Sequence, residues 1–318
     1  MGAFPSAALP KPEIGASVME YAIGPGREGF IGLDVLPQFP VGTKEGTYGV
    51  LPREAFTVIP DTARLSDGSY NRQQWAFETD TYACEEHGLE ELLGDDKVEQ
   101  YGGLFNYEDV VSKKIMWQLL LAQEKRIADL CHDGTITGAS AAAKWDVPAS
   151  ATPKADVDAG RQAIRAATGM LPTKIAMDWE TFHYLVKTDE VVDEVKYTSP
   201  ISQAPEAIQK QMLAVYFGVD EILLSNRIYN SADKGQAFAT AAIWDKTKVL
   251  LFVPATAMLG IEQPALGVSM LWTADSPDNV VAEEYRDEPR RGNVLRVRQH
   301  LDEVLVASSL GYVVDTVL

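Results

Sequence analysis

Cysteine beside histidine is the pattern here that could do chemistry most directly, and it occurs twice, in Cys131-His132-Asp133 and in Cys84-Glu-Glu-His87. The first invites a thiol nucleophile with an imidazole base. Neighbouring side chains on a helix point about 100° apart, so these three do not form such a pair by themselves. A structural cysteine at a helix end is the simpler reading. The second has ligand-like spacing, but a closed zinc site takes about four ligands. Cys131 and His132 would have to be borrowed to complete it. Gly24-Pro25-Gly26 does not stand between a strand and a helix, so it is no phosphate loop. Paired carboxylates abound, and none stands out as an acid–base pair. His87, His132, His183 and His300 are scattered. The densest basic cluster, Arg286, Arg290, Arg291, Arg296 and Arg298, interleaves with Glu283, Glu284, Asp287, Glu288 and Asp302. That is the pattern of an ion-pair network more than of a phosphate track. These residues assign no catalytic, cofactor-binding or metal site.

The elements around them say more. Glu108–Cys131 holds no Gly or Pro, and Val111, Ile115, Leu119 and Ala122 recur at helical spacing. Asn106 suits the N-cap, Glu108 and Asp109 suit the helix dipole, and Gly134 follows just past the end. Such a helix spans roughly 36 Å. Its middle, Gln123-Glu124-Lys125-Arg126, is polar all round, which predicts a strut lying partly on a surface or a neighbour.

The chain's 318 residues suffice for two compact domains or one large one, and 46% hydrophobic content allows a sizeable core. A formal charge of −18 with a pI near 4.6 makes most of the surface repel nucleic acid, against sequence-directed DNA binding. Two cysteines argue against a disulfide scaffold and fit a reducing compartment. The N-terminus lacks a basic region and is broken by Pro5, Pro10 and Pro12, unlike a signal peptide. Gly2 and Ser6 fit the loose myristoylation pattern by chance, with no polybasic second signal. The apolar run Val249–Ile261 contains Pro254 and is too short to span a bilayer.

In chain order, residues 1–45 are rich in Pro and Gly and read as an extended arm. Gly46–Ala83 reads as a long β-hairpin, with Phe56, Val58 and Ile59 going out and Gln74–Tyr82 returning around a polar tip at Ser66-Asp67-Gly68-Ser69. So polar a hairpin cannot be stable alone and must pack on another surface. Glu78–Glu99 carries nine acids against the single Lys97, a solvated face or a partner-facing patch, with Glu85–Leu93 a short helix. Further helices are expected over Asp156–Thr168, Trp179–Leu185 and Pro205–Val215. Strands are expected over Lys174–Asp178, Val219–Ser225, Val280–Asp287, Val294–Arg298 and Val304–Val314. Ala239–Trp244 and Thr247–Val253 are expected to pair around an Asp245-Lys246 turn. Strands and helices mix without βαβ alternation, so the class is α+β.

With these pieces in place, the chain resembles the major capsid proteins of tailed double-stranded DNA bacteriophages, which have the Hong Kong 97-type capsid fold. The likeness covers nearly the whole chain. It is most specific in Leu171–Met177, Phe182 and Leu185, Tyr216–Leu224, Arg227 with Tyr229-Asn230, and Ile243-Trp244. It continues through Pro264 and Gly267, Glu284-Tyr-Arg286 before Arg290-Arg-Gly292, and Gly311–Val314. The resemblance implies an N-terminal arm (1–45), an E-loop hairpin (46–83) and a P-domain (84–172, with the spine helix at 108–131). An A-domain (173–273) and return strands of the P-domain (274–318) complete the layout. It implies a coat protein of hexamers and pentamers, assembled in the host cytoplasm into an icosahedral virion head around DNA. The implied intersubunit contacts are Arg64, Trp75, Phe77, Glu283, Glu284, Arg286, Arg290 and Arg291. The implied partners are other copies of the chain, a portal protein, a separate scaffolding protein and a cement or decoration protein, with no cofactor and no membrane. Some members crosslink through an E-loop lysine; Gly46–Asp96 has none, so stabilisation is expected to be non-covalent. An acidic inner wall would let packaged DNA slide. Two alternatives stay open: an encapsulin-type compartment shell, and an acidic cytosolic α+β enzyme.

Overall fold

The computed structural model describes residues 9–10, 28–50, 59, 61–63, 68, 70–72, 78–101, 106–195, 206–256, 264–275 and 280–318. β1 (Leu9–Pro10) lies on a sheet edge, with Leu9 opposite Glu284 and Pro10 opposite Glu283. An edge is where a strand proline is tolerated. Residues 28–41 then enter the body through one helical turn, α1 (Gly32–Val35), and the strand β2 (Gln38–Val41). Val35 and Leu36 are fully buried, in one cluster with Ile127, Ala128 and Phe252. The arm expected over 1–45 therefore gives way to core by about residue 30. The apolar group Ile31, Val35 and Leu36 is too short to show a period, so only tertiary packing reveals it. Residues 1–8 and 11–27 lie outside the described residues.

β3 (Glu45–Val50) and β4 (Glu78–Ala83) pair antiparallel, from Glu45 opposite Ala83 to Val50 opposite Glu78. The expected hairpin thus stands at its base. Its outgoing strand at Phe56 and Val58, and its return at Gln74–Phe77, lie outside the described residues. Along the two legs only Tyr82 is buried. Tyr82 joins Val41, Cys84, Val268 and Met270 at the root, and its hydroxyl lies 2.9 Å from Thr43 Oγ1.

Glu85–Leu93, expected as a helix, is instead the strand β5 (Glu85–Gly94), antiparallel to residues 292–301. Its acids find arginines there: Glu90 is matched directly with Arg296. A Cβ on Gly88 would come within 2.9 Å of Arg298 Cβ, so the close approach of the two strands uses a glycine. Nothing local to the segment carries that information.

After α2 (Asp95–Tyr101) comes the long helix α3 (Tyr107–His132), one residue longer at each end than predicted. Asn106 caps it by accepting the Asp109 N–H, and Gly134 turns the chain away at φ +94°. Its first half packs Val111, Ile115, Met116, Leu119 and Leu120 against Leu93, Leu295 and Val297. Its last turns pack Ile127, Ala128 and Cys131 with Leu250 and Phe252 of a second sheet. Half of the polar quartet in between is buried: Gln123 and Glu124 are only 2% and 3% exposed, while Lys125 and Arg126 reach the surface. The quartet is the point where the helix passes from one sheet to the other.

The next elements are β6 (Gly138–Ser140), α4 (Pro153–Thr168), β7 (Lys174–Asp178), α5 (Trp179–Leu185), α6 (Asp189–Val195), α7 (Glu206–Phe217) and β8 (Glu221–Ser225). All of those expected from the sequence appear within a few residues of their predicted bounds. Gly169 closes α4 in the left-handed region, and Asp178 caps α5 by accepting the Glu180 N–H at 2.8 Å. The predicted pair around Asp245-Lys246 does not form. β10 (Thr240–Ala242) pairs with β9 (Ile228–Asn230), while β11 (Val249–Phe252) sits between β7 and Gly311–Val314. Every residue of β11 is buried on both faces, a central position that outweighs a local hairpin.

β12 (Gly267–Trp272), β13 (Val281–Asp287), β14 (Gly292–Leu305) and β15 (Gly311–Asp315) end the chain. Val304–Val314 is not one strand. It breaks at a short 3₁₀ turn, Ser308–Leu310, and its halves join different sheets. The first sheet is ordered β1-β13-β14-β12-β2, with β5 on the remaining edge of β14. The second is ordered β6-β15-β11-β7-β8. Within it, Val249 and Leu251 face a core with Ile164, Phe182 and Phe217, and Leu250 and Phe252 face the end of α3.

Candidate functional site

The cysteine and histidine motifs do not assemble into an active site. Cys131 is fully buried, and burial pushes its thiol pKa up, toward the unreactive protonated form. Burial, helped by the Lys248 charge, pushes His132 down to about 4, and Lys248 Nζ donates to the His132 carbonyl at 3.1 Å. Cys84 lies in a different cluster, its thiol raised to about 11 by burial and then by Asp302. Among the described residues no group of His, Cys, Asp and Glu is placed to hold a metal ion. No described helix is long and apolar enough to cross a membrane. A cleft of about 1020 Å³ opens beside His132, lined among others by Lys125, Asp178, Glu180, Tyr229 and Lys246. Two of its lysines are paired: Lys246 lies 3.3 Å from Glu180, and Lys125 pairs with Asp129.

The arginine–acid cluster is a ladder across β5, β13 and β14. Arg286 makes a two-pronged pair with Asp95, at 2.6 and 2.7 Å, which holds the Asp95 carboxyl below its usual range. Arg296 reaches Glu90 at 3.1 Å and Glu283 at 3.8 Å. Arg298 pairs with Glu283 at 2.9 Å and with Asp275. His300 Nδ1 lies 3.1 Å from the same aspartate. So of the residues singled out in the sequence, Glu283 and Arg286 pair within the chain, and Glu284 sits in the ladder opposite Leu295 and Leu9. Arg290 and Arg291 occupy the exposed turn between β13 and β14. Arg290 stands 3.6 Å from Asp287, and Arg291 adopts φ +47° while its carbonyl accepts the Asp95 N–H. Arg64, Trp75 and Phe77 lie outside the described residues.

Glu124 is the residue that composition and motif did not single out. Its carboxylate accepts the Ile31 N–H at 2.9 Å, the Gly32 N–H at 2.7 Å and the Trp244 indole N–H at 2.6 Å. Burial raises its pKa, and the three donors oppose the rise. One signal was available: Glu124 falls four residues after Leu120 and three before Ile127, on the apolar stripe of the helix.

No protein-family model matches the chain. The chain is 24% identical over 239 residues to the major capsid protein of Burkholderia phage BcepMu, covering 73% of this chain and 74% of that protein. In structure it is similar to a phage-related protein from Bordetella bronchiseptica RB50, with a TM-score of 0.70 and 18% identity over 98% of this chain and 99% of the other. It is also similar to the capsid of cyanophage P-SCSP1u, with a TM-score of 0.56 and 10% identity over 99% of this chain and 90% of the other. The chain thus has the Hong Kong 97-type capsid fold, and in sequence it is similar to a phage major capsid protein over about three quarters of its length.

Proposed function

We propose that the chain is the coat subunit of an icosahedral phage head, forming hexamers and pentamers that close around double-stranded DNA without reading its sequence. The observation that carries this reading is the β3–β4 ribbon, rooted by Tyr82 and otherwise without a buried residue. Such a ribbon has no reason to persist in a monomer and every reason to lie on a neighbour. In this reading residues 46–83 are the E-loop, α3 is the spine of a P-domain completed by the C-terminal strands, and 173–273 is the A-domain. The arm is shorter than 1–45, because 28–41 belong to the body. Head-to-tail contacts of this kind close into rings and rings into a shell, with obligate interfaces of roughly 2,000–5,000 Å².

Among the intersubunit residues, Arg290 and Arg291 suit the role best, since their turn is exposed. Arg64, Trp75 and Phe77 remain assigned to the hairpin contact. Arg286 serves first to hold α2 to the sheet, and Glu283 to tie β13 to β14. The subunit acts as a structural protein and not as an enzyme. A portal protein, a separate scaffolding protein and a cement or decoration protein are its further partners in building the head. The match to a phage protein favours the phage head over a compartment shell.

The test is to replace residues 51–77 by a short Asn-Gly turn that still closes β3 on β4. The body is expected to fold and the shells to vanish. Shells of normal size from this variant would remove the hairpin from assembly.

A further inference from the structure

The groups around Glu124 draw together three segments far apart in the chain. From the start of the body come Gly29–Gly32. Gly29 adopts φ +78°, and its carbonyl accepts the Ser225 hydroxyl at 3.2 Å. A Cβ there would lie 2.0 Å from Asn226 Oδ1, and one on Gly32 would lie 2.6 Å from Glu124 Oε2. From α3 come Trp117 and Glu124. From the edge strand β8 and the turn after it come Ser225–Arg227, and from the segment before β11 comes Trp244. The Arg227 guanidinium stands 4.8 Å from the Phe30 ring and 4.6 Å from the Trp117 ring, while those two rings meet edge to face at 5.2 Å. Backbone is held here by side chains over sequence separations of 92 and 93 residues.

We infer that Glu124 is a positioning residue for assembly. It locks Gly29–Gly32, at the start of the body, to the helix that joins the two sheets, so that these parts hold one arrangement in every subunit. The inference rests on the coat-protein reading. A carboxylate is needed because three N–H groups converge on two oxygens. A glutamine would turn an NH₂ group toward one of these donors and leave it unpaired. Ordinary core packing would be served as well by an apolar side chain of the same volume. The convergence of donors from two distant segments on one carboxylate of a third is what makes the site a lock.

The experiment compares the full-length protein with Glu124→Gln, Trp244→Phe and Ile164→Val, the last a mild core change in the other cluster. Shell yield is read by sedimentation and electron microscopy, and hydrogen exchange at the Ile31 and Gly32 amides by mass spectrometry. Glu124→Gln is expected to lower shell yield and amide protection by about tenfold or more, the loss of one hydrogen bond to a charged group. Trp244→Phe should give a smaller loss of both, and Ile164→Val should assemble normally. Full shell yield from Glu124→Gln would overturn the inference, as would an equal loss from Ile164→Val. If Glu124→Gln fails to fold, unchanged yield from Trp244→Phe overturns it. Absence of shells from the wild type even when its scaffolding protein is co-expressed would instead sink the coat-protein reading; unchanged Gly32 protection in the variants would then overturn the lock by itself.

Discussion

The Trp244 indole donates its N–H to the Glu124 carboxylate at 2.6 Å, across 120 residues of chain. Trp244 belongs to the core that includes Leu250 and Phe252 of the second sheet, and Glu124 lies on the helix whose first half rests on the other sheet. The bond therefore ties together two parts of the body that lie far apart in the chain. A further consequence is that Gly32→Ala should destabilise by about 1–3 kcal/mol, because the new methyl must displace the Glu124 oxygen. Urea unfolding measures it.

His132 predicts a pH dependence of stability. Its ring lies edge to face with Trp244 at 5.5 Å, and burial lowers its pKa from 6.5 to about 4. Between those values the unfolded chain binds the proton and the folded chain does not. Stability from this residue is therefore complete above about pH 6.5 and is lost as pH falls toward 4, by up to about 3 kcal/mol. In His132→Phe this part of the acid loss should disappear. Identical urea midpoints against pH for the two proteins would show that His132 titrates normally.

The ladder predicts an asymmetry. Arg298 and Glu283 have side chains only 16% and 14% exposed. Arg298→Ala should cost about 3 kcal/mol, since it leaves Glu283 buried and less well paired. Adding Glu283→Gln to Arg298→Met should recover most of that loss. Additive losses in the double variant would mean that the two side chains act independently.

Tyr82→Ala should loosen the hairpin without unfolding the body. The root cluster around Val41 and Met270 loses its aromatic cover, while the core around Leu251 is untouched. Limited proteolysis should cut the variant between residues 51 and 77 several times faster than the wild type, an order-of-magnitude expectation for local opening. Equal cleavage rates with a lowered global unfolding midpoint would place Tyr82 in the main core instead.

Much of the architecture was legible where the sequence is locally consistent. The α3 stripe, the Asn106 cap, the Gly169 stop and the strand Lys174–Asp178 all follow from spacing and end signals. Misreadings fall where a partner distant in sequence decides. Glu85–Gly94 is a strand because Arg296 and Arg298 stand beside it. Val249–Phe252 leaves its expected hairpin because the sheet centre demands an all-apolar strand. Ile31–Leu36 is core because the end of α3 covers it. Glu124 looked like part of a polar surface because four polar residues in a row hide a two-residue buried face. The ion pairs of Arg290, Arg296 and Arg298 with Asp287 and Glu283 are legible because charge alternation across a β-hairpin is a local pattern.

The most direct test of the central claim is electron microscopy of the full-length protein purified from expressing cells at neutral pH. The account predicts uniform hollow shells tens of nanometres across, or rings of five and six subunits, with single-subunit mobility on a denaturing gel. Monodisperse monomers at every concentration, both alone and when co-expressed with the phage's own scaffolding protein, would contradict it.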